Sequence, residues 1–128
     1  MANKHKGSNA ERELLKMFTE SAWRAARVAG SGVNDDSPCD LIAGKIGRKL
    51  AVECKTTRKP IQYISKQQME DFLIFSEIMG LTPVIAVKFL REGWLFLNPG
   101  EFRDAGKTWA INLKDAKVVG RRFGQLIG

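Results

Sequence analysis

Two acidic residues and a lysine, Asp40, Glu53 and Lys55, are spaced in a way that could support metal-assisted chemistry. They lie at the ends of a stretch in which two apolar segments flank a basic, glycine-containing middle, a pattern typical of a β-hairpin. If the turn is centred between Ile46 and Gly47, Asp40 stands directly opposite Glu53. Opposed carboxylates repel each other, and a fold tolerates them most readily when a divalent cation lies between them.

The chemistry that suits these residues is metal-assisted hydrolysis of a phosphodiester. Carboxylates would hold Mg²⁺, the metal would acidify a water, and Lys55 would orient that water or offset negative charge. The backbone carbonyl of Cys54 could complete the ligand set of a hard cation. His5 stands alone, so the sequence contains no Ser/His/Asp or Cys/His nucleophile, and it has no phosphate-binding glycine loop. The alternative is a solvated strand face, because Glu-x-Lys triplets are common in ordinary chains.

Charge and length narrow the class of protein further. The 128 residues include 21 Lys and Arg against 14 Asp and Glu, a formal net charge of +7 that favours a nucleic acid partner, either DNA or RNA. The length predicts one domain over residues 1–128, with residues 1–7 as a basic flexible tail. No apolar run approaches a membrane span and no signal-peptide core is present, which predicts a cytoplasmic protein.

The remaining chain predicts an α/β fold with a central mixed β-sheet flanked by helices. Ser8 and Glu11 form a capping-box pattern for a first helix that ends near residues 22–24, and Ser65 and Gly80 bound a second helix. Further strands are predicted at 25–28, 61–64, 83–89, 94–97 and 108–113, with a helical turn at 101–104 and a final helix at 112–127.

Two apolar features of this arrangement have more than one interpretation. The hairpin register places Cys39 opposite Cys54 on the face away from the acids, as reduced thiols or, in a hyperthermophile, as a disulfide. Phe75 and Ile78 fall partly outside the apolar stripe of the second helix. They either belong to the ordinary core or mark a second apolar face that contacts a partner chain.

Several sequence blocks resemble one known family. Asp40 followed by Glu53-Cys54-Lys55 fits the PD-(D/E)xK nuclease pattern, although the proline, Pro38, lies two positions before Asp40. With the blocks at 6–14 (KGSNAEREL), 27–31 (RVAGS) and 85–89 (IAVKF), the chain resembles the archaeal Holliday junction resolvases over roughly residues 6–97. The resemblance implies a restriction-endonuclease-like nuclease core.

The resemblance also implies roles for individual residues. Asp40 and Glu53 would bind Mg²⁺, for which Mn²⁺ could substitute, and Glu11 would reach the metal directly or through water. Lys55 would position the attacking water, and Ser31 matches a loop serine that is implicated in catalysis. The alternatives are that Glu11 only caps its helix and that Ser31 only shapes a turn. The basic residues expected to contact DNA phosphates are Lys6, Arg12, Arg27, Lys45, Arg48, Arg58, Lys59 and Lys66.

The implied activity is Mg²⁺-dependent resolution of four-way DNA junctions by paired nicks in opposed strands. A homodimer is expected, since a junction with near two-fold symmetry suits two single-site chains related by a two-fold axis. Neither a membrane nor a small-molecule cofactor is expected. Two alternatives remain: another nuclease of the same superfamily, of restriction or flap type, and a non-catalytic basic protein that binds nucleic acid.

Overall fold

A computed structural model describes the backbone of residues 2–28 and 37–128 and the side chains of residues 9–28 and 37–128. In chain order the elements are α1 (Ala2–Glu20), β1 (Arg24–Arg27), β2 (Leu41–Lys45), β3 (Arg48–Thr57), β4 (Ile61–Ser65), α2 (Lys66–Met79), β5 (Thr82–Phe89), β6 (Gly93–Leu97), a 3₁₀ turn (Pro99–Glu101), β7 (Arg103–Asp104), β8 (Thr108–Asn112), α3 (Leu113–Val119) and α4 (Phe123–Ile127). In the described residues, no helix is both long enough and apolar enough to cross a membrane.

The strands form two sheets. The larger one has the order β1-β2-β3-β5-β6, with β3 and β5 parallel and its other described pairs antiparallel. The smaller antiparallel sheet has the order β4-β8-β7, so the predicted strand β4 lies at its edge. The predicted mixed sheet flanked by helices is therefore confirmed, whereas the second sheet had no counterpart in the prediction.

The larger sheet separates two apolar cores. On one face Val52 packs with Leu14 and Phe18 of α1, and on the other Ala51 packs with Met69 and Phe72 of α2. Because both faces are covered, β5 is buried on both sides, which explains its nearly continuous apolar sequence. These two cores hold β3 in the middle of the molecule.

The β2–β3 hairpin has the predicted register. Leu41 pairs with Val52 and Lys45 with Arg48, and Gly47 turns the chain at a positive φ of 86°. The amide of Asp40 also donates to the Val52 carbonyl, at 3.0 Å, so Asp40 and Leu41 both stand opposite Val52. Two residues facing one is the arrangement of a β-bulge, which re-aims the side chains that precede the strand.

The bulge explains why the predicted placement of Cys39 is wrong. The extra residue turns Cys39 to the α2 side of the sheet, where it packs in the same core as Ala51. Cys54 packs instead against the core on the α1 side. Both cysteines are free thiols, so the cross-strand pair expected from the simple register does not form.

The main differences between the predicted and the observed elements occur at three places, whereas the predicted end of α1 and several strand ends differ by only a few residues. Helix α1 begins at Ala2, so it includes residues 2–7, and Ser8 lies inside the helix rather than capping it. The segment before Ser8 contains no proline, and its one glycine only weakens a helix. The predicted helix at 112–127 is interrupted, because Arg121 pairs with Phe96 of β6 and so separates α3 from α4. The predicted turn at 101–104 is a 3₁₀ turn that ends at residue 101, followed by β7.

Helix α2 begins and ends as predicted. The Ser65 side chain accepts the amide of Gln68, and Gly80 ends the helix in the left-handed conformation, with a φ of 70°. Phe75 packs partly against the core, whereas Ile74 and Ile78 are 49% and 77% exposed. The helix therefore has a second, solvent-facing apolar side.

Candidate active site

The ends of β2 and β3 bring the two predicted acids together. Asp40 lies in the bulge before β2, and its Oδ2 accepts the backbone amide of Cys54 at 2.8 Å. Glu53 lies on β3, is only 6% exposed, and is close enough to Asp40 for the charge of Asp40 to raise its pKa. Lys55 follows on the same face of β3, with its Nζ 3.7 Å from Glu53 Oε2. The predicted convergence of two carboxyls and an amine is therefore present in the structure.

The electrostatics of the acid pair are unfavourable to two negative charges. Burial, with the charge of Asp40 adding to it, raises the pKa of Glu53 to about 8. Burial also raises the pKa of Asp40, although the amide of Cys54 and the charge of Lys55 act in the opposite direction. Near neutral pH, the two carboxyls of the metal-free protein therefore tend to share one proton.

A third acid, Glu11, approaches the pair from α1. The Arg27 guanidinium donates to Glu11 Oε1 from Nε at 3.1 Å and from Nη2 at 3.0 Å. Partial burial raises the pKa of Glu11, and the negative charge of Asp40 adds to the increase. Arg27 was predicted to bind a phosphate, but in this structure two of its N–H groups donate to Glu11. Arg12 is exposed near Glu11.

Gln68 of α2 is a site residue that the sequence analysis missed. Its Oε1 accepts from Lys55 Nζ at 2.9 Å, and its Nε2 donates to Glu53 Oε2 at 2.8 Å. The available signal was the Ser65 cap, which fixes the first turn of α2 and therefore the position of Gln68. This local signal could not show that α2 packs over β3, because that packing is a tertiary contact.

The other predicted basic residues lie in different surroundings. Lys45 and Arg48 lie at the turn end of the hairpin, 5.3 and 5.2 Å from the ring centre of Trp23. Lys66 binds Asp104 at 2.8 Å. Arg58 and Lys59 are exposed after β3. Two predicted residues fall outside the description: Ser31 altogether, and Lys6 as to its side chain.

The oxygen donors of this site fit a hard divalent cation. In residues 9–28 and 37–128, no three side chains of the His, Cys, Asp and Glu types form a ready-made metal cluster. Asp40 and Glu53 nevertheless supply two carboxylates whose shared proton a cation can replace. Mg²⁺ is commonly held by one or two carboxylates while it keeps several waters, so this pair is sufficient as a protein ligand set.

Comparison with known proteins gives one consistent result. The family model described as "Archaeal holliday junction resolvase (hjc)" matches residues 2–122. The chain is 40% identical over 124 residues to the crossover junction endodeoxyribonuclease Hjc of Methanocaldococcus jannaschii, which covers 96% of this chain and 87% of that relative. Identity to the Hjc of Archaeoglobus fulgidus is 31% over 133 residues, covering 98% and 97% of the two chains.

The fold comparison agrees with the sequence comparison. The 1.6 Å resolution structure of Archaeoglobus fulgidus Hjc, a Holliday junction resolvase from an archaeal hyperthermophile, superposes with a TM-score of 0.86. The match covers 95% of this chain and 100% of that chain, at 28% sequence identity. The similarity therefore extends over the whole architecture, including both sheets and the strands that carry the acids.

Proposed function

Because this chain belongs to the archaeal Holliday junction resolvase family, we propose that it is a Mg²⁺-dependent endonuclease that resolves four-way DNA junctions. The observation that carries the proposal is the buried pair Asp40 and Glu53 beside Lys55. The proposal covers a single nuclease domain over residues 1–128. Its setting is the cytoplasm, where a protein that acts on chromosomal DNA meets its substrate.

The residues of the site have distinct proposed roles. A bound Mg²⁺, or Mn²⁺ in its place, supplies an activated water and stabilises charge on the phosphate. Asp40 and Glu53 would hold the metal through their carboxylates, and the Cys54 carbonyl would add a backbone ligand. Glu11 would act directly or through a water, held in place by Arg27. Lys55 would orient the attacking water, since its ammonium lies beside Glu53.

The proposed active form is a homodimer that makes paired nicks in opposed strands. Two copies related by a two-fold axis would present two identical sites to a junction of near two-fold symmetry. The solvent-facing side of α2 is the candidate contact surface, because it exposes large apolar side chains that a monomer has no reason to expose together. They are Leu73, Ile74, Ile78 and Met79.

DNA recognition is proposed to depend on junction shape, through phosphate contacts rather than base edges. The exposed residues Arg12, Arg58 and Lys59 are the best placed of the predicted contacts, since among the described contacts none is engaged by an acidic side chain or an aromatic ring, whereas Lys45 and Arg48 lie over Trp23. Ser31 is proposed to act in catalysis on the family resemblance alone. Junction affinity should fall steeply as the salt concentration rises.

The decisive experiment is cleavage of a synthetic immobile junction with and without Mg²⁺, with product ends mapped on all four strands. We expect Mg²⁺-dependent nicks placed symmetrically in two opposed strands. Flap, duplex and single-stranded DNA serve as competing substrates, and sedimentation tests for the dimer. A faster reaction on flaps would favour another nuclease of the superfamily, and no scission at any enzyme concentration would leave only a DNA-binding protein.

A further inference from the structure

We propose that Gln68 is a positioning residue that holds the Glu53 carboxylate and the Lys55 ammonium apart, so that Glu53 remains available to a metal ion. This inference rests on the proposed nuclease function, because it assigns Gln68 a part in the same site. Gln68 extends from the first turn of α2 across the face of β3 that carries both residues. It is not itself proposed to touch the substrate or the metal.

The first argument is the polarity of the two hydrogen bonds. A lysine ammonium can only donate, and an ionised carboxylate can only accept. A side-chain amide offers one acceptor and one donor group, so Gln68 satisfies both neighbours in a single orientation. A carboxylate at this position would repel Glu53, and an apolar side chain would contact neither group. The amide of Gln68 therefore links the two groups.

The second argument is that Gln68 forgoes its usual role at a helix start. In the sequence Ser-x-x-Gln, the glutamine side chain commonly reaches back to the backbone amide of the capping serine. Here the Gln68 amide donates to Ser65 Oγ at 3.0 Å as expected, but its side chain turns to β3 instead. Ser65 is itself paired with Thr108, so the smaller sheet anchors the turn from which Gln68 extends.

The consequence of these bonds is that the Glu53 carboxylate stays free to bind a metal ion instead of the Lys55 ammonium. Lys55 Nζ lies 3.7 Å from Glu53 Oε2, longer than a close charged hydrogen bond, and its nearer partner is Gln68 at 2.9 Å. Without the amide, the ammonium would close onto Glu53 and compete with a cation for its oxygen. Loss of Gln68 should therefore weaken metal binding and slow cleavage, while the DNA-binding surface remains unchanged.

The test compares Gln68→Met with Gln67→Met, a matched control on the same helix. Gln67 is exposed, and its side chain bonds only to Asp71, at 2.9 Å, among the described hydrogen bonds. Calorimetry measures Mg²⁺ affinity of the free proteins, a mobility shift in EDTA measures junction affinity, and single-turnover kinetics measure the cleavage rate against Mg²⁺ concentration. We expect Gln68→Met to lose about 10- to 100-fold in Mg²⁺ affinity with junction affinity retained.

The outcomes separate this inference from the proposed function. If Gln68→Met equals Gln67→Met in Mg²⁺ affinity and Mg²⁺ dependence, the positioning role is wrong even if thermal stability falls. If the wild type binds Mg²⁺ but cuts no junction, the proposed function fails, and the calorimetric comparison still decides the role of Gln68. Should Gln68→Met fold poorly, Gln68→Asn decides instead, because its amide is one methylene too short to reach both partners and should show the same loss.

Discussion

The two ends of the β2–β3 hairpin use charge in opposite ways. At the turn end, Lys45 and Arg48 lie over the ring of the buried Trp23 and donate to the last backbone carbonyls of the chain. At the open end, Asp40 and Glu53 are buried together: burial raises the pKa of both carboxyls, and the charge of Asp40 raises the pKa of Glu53 further. One end of the hairpin therefore contributes to stability, whereas the other carries an unfavourable arrangement.

The comparison shows that the unfavourable electrostatic energy of this hairpin lies at its open end. The open end tolerates the acid pair because β3 is held by its parallel pairing with β5 and by an apolar core on each face. Cationic side chains over an aromatic ring and near the end of a helix are favourable without any ligand. Buried like charges become favourable only when a cation joins them. The contrast leads to four predictions.

The largest expected effect is loss of cleavage in Asp40→Asn. The substitution keeps the shape of the side chain but removes an anionic ligand, so we expect the single-turnover rate to fall by about 10³-fold or more. Junction affinity in EDTA should stay close to that of the wild type. Asp115→Asn, at an exposed position of α3, is the control and should cleave normally. Retained cleavage in Asp40→Asn would exclude the proposed site.

At the turn end, the largest expected effect is on stability. Trp23 is 2% exposed and packs against Phe18 with the ring centres 5.3 Å apart, so Trp23→Ala should destabilise the protein by about 3–5 kcal/mol. Urea unfolding measures this change. Trp109→Ala, which removes a half-buried ring under Lys66, is the matched comparison and should cost less. Equal losses in the free energy of unfolding at the two positions would show that the turn end does not contribute more to stability than the region around Trp109.

At the open end, replacing a buried acid should stabilise the metal-free protein, whereas Trp23→Ala destabilises it. Glu53 has a pKa of about 8 in the folded protein against an ordinary value of 4.5, so between these pH values the folded state holds a proton that the unfolded state releases. Wild-type stability should therefore fall as the pH rises through this window. Glu53→Gln does not titrate, and at pH 8 it should be more stable than the metal-free wild type by about 1–4 kcal/mol.

Glu13→Gln provides the control for this pH dependence. Hydrogen bonding from Lys88 lowers the pKa of Glu13, so its charged form stabilises the fold above the ordinary pKa, and that contribution disappears as the pH falls. Thermal unfolding should show Glu13→Gln less stable than the wild type at both pH 5 and pH 8, which lie above the ordinary value of 4.5, and the difference should disappear only well below pH 4.5. Mg²⁺ should raise the melting temperature of the wild type but not that of Glu53→Gln. If Glu53→Gln were less stable than the metal-free wild type at pH 8, the conclusion that the buried acid pair destabilises the metal-free protein would be wrong.

The smallest expected effect concerns Arg48. Its guanidinium lies over Trp23, so Arg48→Ala should destabilise the protein by about 0.5–1 kcal/mol in thermal unfolding. Because that group already has a partner, we expect a smaller change in the salt dependence of junction binding than for Arg58→Ala. Loss of one phosphate contact reduces the logarithmic salt slope by about 1. A full unit of change in Arg48→Ala would assign the turn end to the DNA interface.

Local signals predicted a large part of this molecule. The register of the hairpin followed from Gly47 and the alternation around it, and the ends of α2 followed from Ser65 and Gly80, because these signals act over a few bonds. The start of α1 was wrong because the capping pattern at Ser8 is also compatible with a helix interior. The interruption near residue 120 was missed because it depends on the pairing of Arg121 with β6.

The sequence by itself determined which residues converge at the candidate site, since Asp40, Glu53 and Lys55 belong to one hairpin whose pairing is local. Only the tertiary structure decided how they are presented. The bulge at Asp40, the approach of Glu11 from α1 and the reach of Gln68 from α2 all depend on contacts between segments distant in the chain. Such contacts form when two cores pack on opposite faces of one sheet, and no short-range pattern of residue types encodes that packing.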